Sequence, residues 1–178
     1  MKKTLFIITS CLFLISATIK ENAVKDMHAM YEEKVQITEH TFSIPSKVKK
    51  EIQNKVKQKF FRDKIYYWVI KKKDGPEYAL MDNVLGKSMP MTFIVVFNEE
   101  GEVSNSSLIK YRESYGGEVK SKKWLNQFND MRRDSLYKFP GNIAGISGAT
   151  ISVNSMTRGF SKLSLLLPYV IKDYNNGK

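Results

Sequence analysis

Met91-Thr92-Phe93-Ile94-Val95-Val96-Phe97, followed by the turn signal Asn98-Glu99-Glu100-Gly101, decides how this chain folds. A run this short and this apolar reads as a strand covered on both faces, hence central in its sheet. The turn sends the chain back into an antiparallel partner from Glu102 to Tyr111. Upstream, Ile65-Tyr66-Tyr67-Trp68-Val69-Ile70 is aromatic and β-branched, Asp74-Gly75 is a turn signal, and Glu77 to Val84 reads as the returning strand. Gly86-Lys87-Ser88-Met89-Pro90 joins the two hairpins. Two hairpins imply an antiparallel sheet of at least four strands. Val35-Gln36-Ile37-Thr38 alternates like a further short strand.

Helices flank this sheet in sequence, so the fold class is α+β. Ser43 or Ser46 can cap a first helix, Pro45 suits its opening, and Val48, Ile52, Val56 and Phe60 recur every four residues. Its opposite face carries Lys49, Lys50, Lys55, Lys57 and Lys59. A short middle helix is predicted over 122–131, with Trp124, Leu125, Phe128 and Met131 on one side as core. Residues 132–146 read as loop. A long last helix starts near Ser152 or Asn154, buries Met156, Phe160, Leu163 and Leu167, and is kinked or ended by Pro168.

The 178 residues suit one domain behind a processed leader. Lys2-Lys3, the apolar segment Leu5 to Ala17 and the following polar Lys20-Glu21-Asn22 read as a signal peptide over 1–17. The apolar segment is short for a membrane span, so cleavage after Leu14-Ile15-Ser16-Ala17 is expected over retention as an uncleaved anchor. Lipidation at Cys11 is a weaker reading, because only Leu5 to Ser10 would remain apolar. Residues 18–42 read as a polar lead-in and 43–174 as a single domain. Cys11 is the only cysteine, so a product cleaved after Ala17 could use no iron–sulfur ligation, thiol catalysis or disulfide. Any redox chemistry would then belong to an organic cofactor. His28 and His40 stand without further ligands near them in sequence, which argues against a metal site there.

The formal net charge is +11, from 29 basic and 18 acidic residues. The lysines fall in separate clusters (47–50, 71–73 and 120–123) with no nucleic-acid-binding motif beside them, so they read as solvated faces. A basic surface also suits an acidic redox partner or peripheral contact with anionic lipid.

Near the C-terminus the chain reads Ile146-Ser147-Gly148-Ala149-Thr150-Ile151-Ser152. Small residues and a hydroxyl lead into an amphipathic run, and the start of a helix, with its outward N–H groups and positive dipole end, suits an anion. A threonine there can hold a phosphate or be esterified by one; it can also be a simple cap. Upstream stands Tyr111-Arg112-Glu113-Ser114-Tyr115-Gly116-Gly117-Glu118, a strand end with a glycine turn, followed by Trp124, Gln127 and Phe128.

That order of strand, glycine turn, short helix, loop, Ser-Gly-Ala-Thr and long helix resembles the FMN-binding domain family, over roughly Tyr78 to Leu166. The family includes small secreted bacterial proteins and the flavin-carrying subunits of the sodium-translocating NADH:quinone reductase and Rnf complexes. The resemblance implies FMN as cofactor. In the covalent members a flavin transferase, with FAD as donor, joins FMN by a phosphoester to the threonine that corresponds to Thr150. It implies a flavin site of Thr150, Ser147, Gly148, Ala149 and Ser152 at the phosphate, with Glu113, Ser114, Tyr115 and Gly116 bounding the cavity. One position departs: where the family usually has an aspartate three residues before the motif's first hydroxyl, this chain has Ala144, with Asn142 the nearest polar residue. The expectation is an exported, periplasmic or cell-envelope flavoprotein that carries electrons to or from a partner protein. No hydrolase-type nucleophile, base or metal set is evident. The alternative is a secreted binding module of the same fold that holds FMN noncovalently or has lost it.

Overall fold

The computed structural model describes residues 18–31, 34–114, 116–132 and 137–177. The segment 1–17, with its signal-peptide reading and Cys11, and Tyr115 both lie outside the described residues. The chain divides into two compact units, Met1–Lys34 and Val35–Lys178. In the first, residues 18–28 are helical (α1). Among the described residues no helix is long and apolar enough to cross a membrane.

The second unit is α+β. Its five strands are β1 (Gln36–Ser43), β2 (Lys64–Lys72), β3 (Gly75–Leu85), β4 (Pro90–Phe97) and β5 (Val103–Lys110). They lie in the order β1-β2-β3-β4-β5, all antiparallel. The strand read from 91–97 is therefore interior, but β3 holds the middle place. The strand begun at Val35-Gln36-Ile37-Thr38 runs on to Ser43 as β1, so part of the polar lead-in belongs to this unit. Phe93, Val95 and Phe97 face the main core and Ile94 and Val96 the opposite face, all fully buried, which is why the run shows no polar alternation.

Helix α2 (Ser46–Val56) packs on the long α4 (Thr150–Asn176), which lies along β3. The four-residue period overshoots here: α2 stops at Val56 with Lys57 in the left-handed region at φ 55°. Phe60 stays buried in the following loop, its N–H donating to Gln53 Oε1 at 2.8 Å. The middle helix is shorter than its pattern, with α3 spanning only Lys122–Leu125 and a 3-10 turn Asn126–Phe128 after it. Pairing with β5 draws the chain out of the helix, because Asp130 N donates to Val103 O and Val103 N to Met131 O, both at 2.9 Å.

α4 starts at Thr150, before the expected Ser152 or Asn154, and passes through Pro168 without ending. Pro168 faces solvent, while Val170 beyond it is buried and Tyr174 packs edge-on against Tyr78. Burial on the far side sustains the helix despite one lost backbone bond. Gly159 lets α4 approach the sheet closely, since a Cβ there would stand 2.8 Å from the Phe93 ring and 2.9 Å from Val84. Phe160 stacks on Phe128 at 3.8 Å between ring centroids, joining α4 to the middle helix. Lys162, fully buried, reaches Asp82 on β3 at 2.8 Å and donates to Lys59 O at 2.9 Å.

Candidate functional site

Three segments distant in sequence meet at one end of the sheet. The first is the β3–β4 turn, closed by Gly86 N donating to Met89 O at 3.0 Å. The second is the chain leaving β5. Its Glu113 Oε1 accepts from Ser88 N at 2.7 Å and Met89 N at 2.9 Å. These N–H bonds, Met89 first, hold the Glu113 carboxyl below the usual carboxylate range. A Cβ on Gly86 would lie 2.5 Å from Glu113 Oε1, so the turn needs a glycine to receive the carboxylate. Arg112 donates to Pro90 O at 2.8 Å and ties the same two segments together.

The third segment is the loop into α4. Ala144 is gripped on both sides: Trp124 Nε1 donates to its carbonyl at 3.0 Å, and its N–H donates to Gln127 Oε1 at 2.8 Å. Gln127 Nε2 donates in turn to Trp124 O at 3.1 Å. The middle helix therefore fixes this position through backbone groups, where the family usually has a carboxylate. Asn142 does not substitute for that carboxylate, because its Oδ1 accepts from Lys138 N at 2.8 Å within the loop. Gly148 adopts φ +75° with open space around it, so backbone conformation alone favours glycine there. Gly116, at φ +76°, abuts Ala149: a Cβ on it would stand 2.8 Å from the Ala149 Cβ. The two glycine-bearing motifs thus touch directly.

Thr150 is the first helical residue and not the cap. Ala149 holds the cap position and offers no side-chain acceptor, and the first helical bond runs from Val153 N to Ala149 O at 2.9 Å. The N–H groups of Thr150, Ile151 and Ser152 therefore have no helical acceptor. Beside them lies a cavity of about 500 Å³, lined by Lys87, Ser88, Glu113, Ser114, Gly148, Ala149, Thr150, Ile151 and Ser152.

Glu113, Ser114, Gly148, Ala149, Thr150 and Ser152, named from sequence, come together here. Ser147 is exposed and does not line the cavity. Gly116 lines a neighbouring depression with Ser114 and Lys120. Tyr115 lies outside the described residues. Lys87, Ser88 and Ile151 were missed as lining residues. The Gly86-Lys87-Ser88 turn was visible, but its approach to α4 depends on Glu113, a contact with no local signal. Trp124 and Phe128 are core, as read, yet Trp124 also holds the loop.

The lining fits a flavin mononucleotide. Three free N–H groups, the Lys87 ammonium and four hydroxyls (Ser88, Ser114, Thr150 and Ser152) suit a phosphate. The one carboxylate in the lining, Glu113, is turned into the Ser88 and Met89 N–H groups. The volume lies within the range of small-molecule sites, roughly 300–1,000 Å³. No curated protein matches the chain. Residues 86–163, from the β3–β4 turn to the middle of α4, match the family model described as FMN-binding domain. Over that segment, a little under half of its length, the chain is similar to the FMN-binding domain, and FMN is the cofactor that such a domain indicates.

Proposed function

We propose that this protein is an exported electron-transfer flavoprotein whose FMN is joined by a phosphoester to Thr150. The observation that carries the reading is the start of α4: an exposed threonine hydroxyl beside three uncommitted N–H groups, opening on a cavity of about 500 Å³. The phosphoester keeps a negative charge, which the helix N-terminus offsets by about 0.3–1 kcal/mol. Lys87 supplies a second countercharge. Glu113 holds the turn that carries Lys87 and Ser88, so its role is positioning. Bound FMN supplies the redox chemistry, and the protein sets its place and surroundings.

Five large apolar side chains stay exposed among the described residues, and Leu85, Met89 and Ile151 are three of them. All three belong to the segments that bound the cavity, where they can meet the apolar edge of a flavin ring or of a redox partner. In attachment by a flavin transferase, Thr150 Oγ forms a bond to the flavin-side phosphorus of FAD. The pyrophosphate bond breaks, AMP leaves and the threonine proton is released. Export through the 1–17 segment places the carrier in the cell envelope, where a tether prevents loss of cofactor. The basic surface favours an acidic partner or anionic lipid.

Intact mass and flavin absorbance of protein purified from its own envelope test this reading. The expected product lacks the leader and is heavier than the cleaved chain by FMN less one water. Thr150→Ala should remove that mass. Colour lost on denaturation would show FMN held without a bond, which would overturn the phosphoester and leave the FMN site standing. Colourless protein with no affinity for added FMN would refute the proposal.

A further inference from the structure

A second cavity of about 310 Å³ opens farther along α4 and shares no lining residue with the flavin cavity. Its floor is made by Val56, Tyr137, Thr157 and Ser161, all buried. Its mouth carries the exposed side chains of Lys55, Lys138 and Arg158. Among the described residues no carboxylate lines it, and none of the three cations has an ion-pair partner.

The wall is fixed in advance. Tyr137 N donates to Ser161 Oγ at 3.0 Å, and Lys138 N is bonded to Asn142. The Phe139 ring lies against Gly145, where a Cβ would come within 2.7 Å of it. The floor hydroxyls have committed their protons inward: Thr157 Oγ1 donates to Val153 O at 2.8 Å and Ser161 Oγ to Thr157 O at 3.2 Å. The deep end is thus poor in free donors, while the mouth carries three cations without an ion-pair partner among the described residues, of which Arg158 donates to Lys57 O at 3.4 Å. A ligand suited to both ends has a flat apolar body directed inward and an anionic group at the rim.

We infer that this cavity binds an aromatic carboxylate, its ring against Val56 and Phe139 and its carboxylate among Lys55, Lys138 and Arg158. Arg158 lies eight residues beyond Thr150, about 12 Å along the helix axis. The ligand and the flavin phosphate can therefore be bound together.

The test is a titration of the full-length chain with 2-naphthoate, followed by amide NMR, with and without FMN. Saturable shifts are expected at Val56, Tyr137 and Arg158, with the same affinity in both forms. The neutral naphthalene-2-methanol and the surface double variant K55Q/K138Q should each lower affinity about tenfold, and added salt should weaken the acid alone. The K55Q/K138Q spectrum elsewhere reports whether the variant is folded. Equal binding of acid and alcohol, competition by FMN, shifts centred on Lys87 and Ile151, or no saturation up to about 10 mM would each overturn the inference.

Discussion

Gly116→Ala tests the contact on which the site is built. Two costs are separable. At φ +76° an alanine pays the left-handed penalty, about 1–2 kcal/mol. Its Cβ would also stand 2.8 Å from the Ala149 Cβ, well inside the 3.4 Å at which ordinary contact begins. A Cβ has no torsion by which to move aside, so a backbone must shift, and overpacking of this kind costs about 1–3 kcal/mol. Together the substitution should destabilise the FMN-free protein by about 2–5 kcal/mol. If the Ala149 loop yields, it carries the Thr150 N–H with it, and FMN affinity should fall about tenfold or more. Urea unfolding and FMN titration measure the two effects. Gly117→Ala is the control: its Cβ would meet only Lys120 Cε at 3.8 Å, with no positive φ, so a change within about 0.5 kcal/mol is expected. The double variant G116A/A149G removes the Cβ–Cβ overlap and should recover part of the loss, leaving the backbone penalty and a 3.2 Å approach to the Tyr111 hydroxyl. Equal unfolding midpoints and equal FMN affinities for Gly116→Ala and Gly117→Ala would refute the reasoning.

Glu113 titrates below its ordinary range, so its hold on the Ser88 and Met89 N–H groups should be complete above about pH 4.5 and lost as pH falls below that. The amide shifts of Ser88 and Met89 should report a midpoint under the usual glutamate value, absent in Glu113→Gln; a midpoint above it would contradict the geometry. Lys162→Met leaves Asp82 buried without its cation and should cost about 3–5 kcal/mol at neutral pH by urea unfolding. Burial already raises the Asp82 pKa, and losing Lys162 raises it further. The folded variant then holds a proton that the unfolded chain releases, so its stability should fall as pH rises above the carboxylate range. A deficit that stays flat between about pH 5 and pH 8 would exclude this cause. Trp124→Phe keeps an aromatic side chain, though a smaller one, but removes the donor to Ala144 O, and should cost about 1–3 kcal/mol and weaken FMN binding; unchanged FMN titration would mean the loop is held by other contacts.

Short-range pattern was enough for the elements. Apolar runs, turn pairs such as Asp74-Gly75 and four-residue spacing depend on neighbours within a turn or two, and the α+β class with antiparallel hairpins follows from them. The free N–H groups ahead of α4 were legible for the same reason, since small residues before an amphipathic run mark a helix start locally. Element ends were less legible. The middle helix breaks at Phe128 because residues 130 and 131 pair with Val103, and α4 continues past Pro168 because Val170 is buried. The cavity depended on contacts that no local pattern encodes: Glu113 on the 86–89 turn, Gly116 on Ala149, and Trp124 with Gln127 on Ala144. So did the buried Lys162–Asp82 pair, whose members lie on different elements. Helix and strand propensity arise from steric and hydrogen-bonding terms within a few residues, whereas a cavity wall exists only once the sheet register and the seat of α4 have brought remote segments within bonding distance.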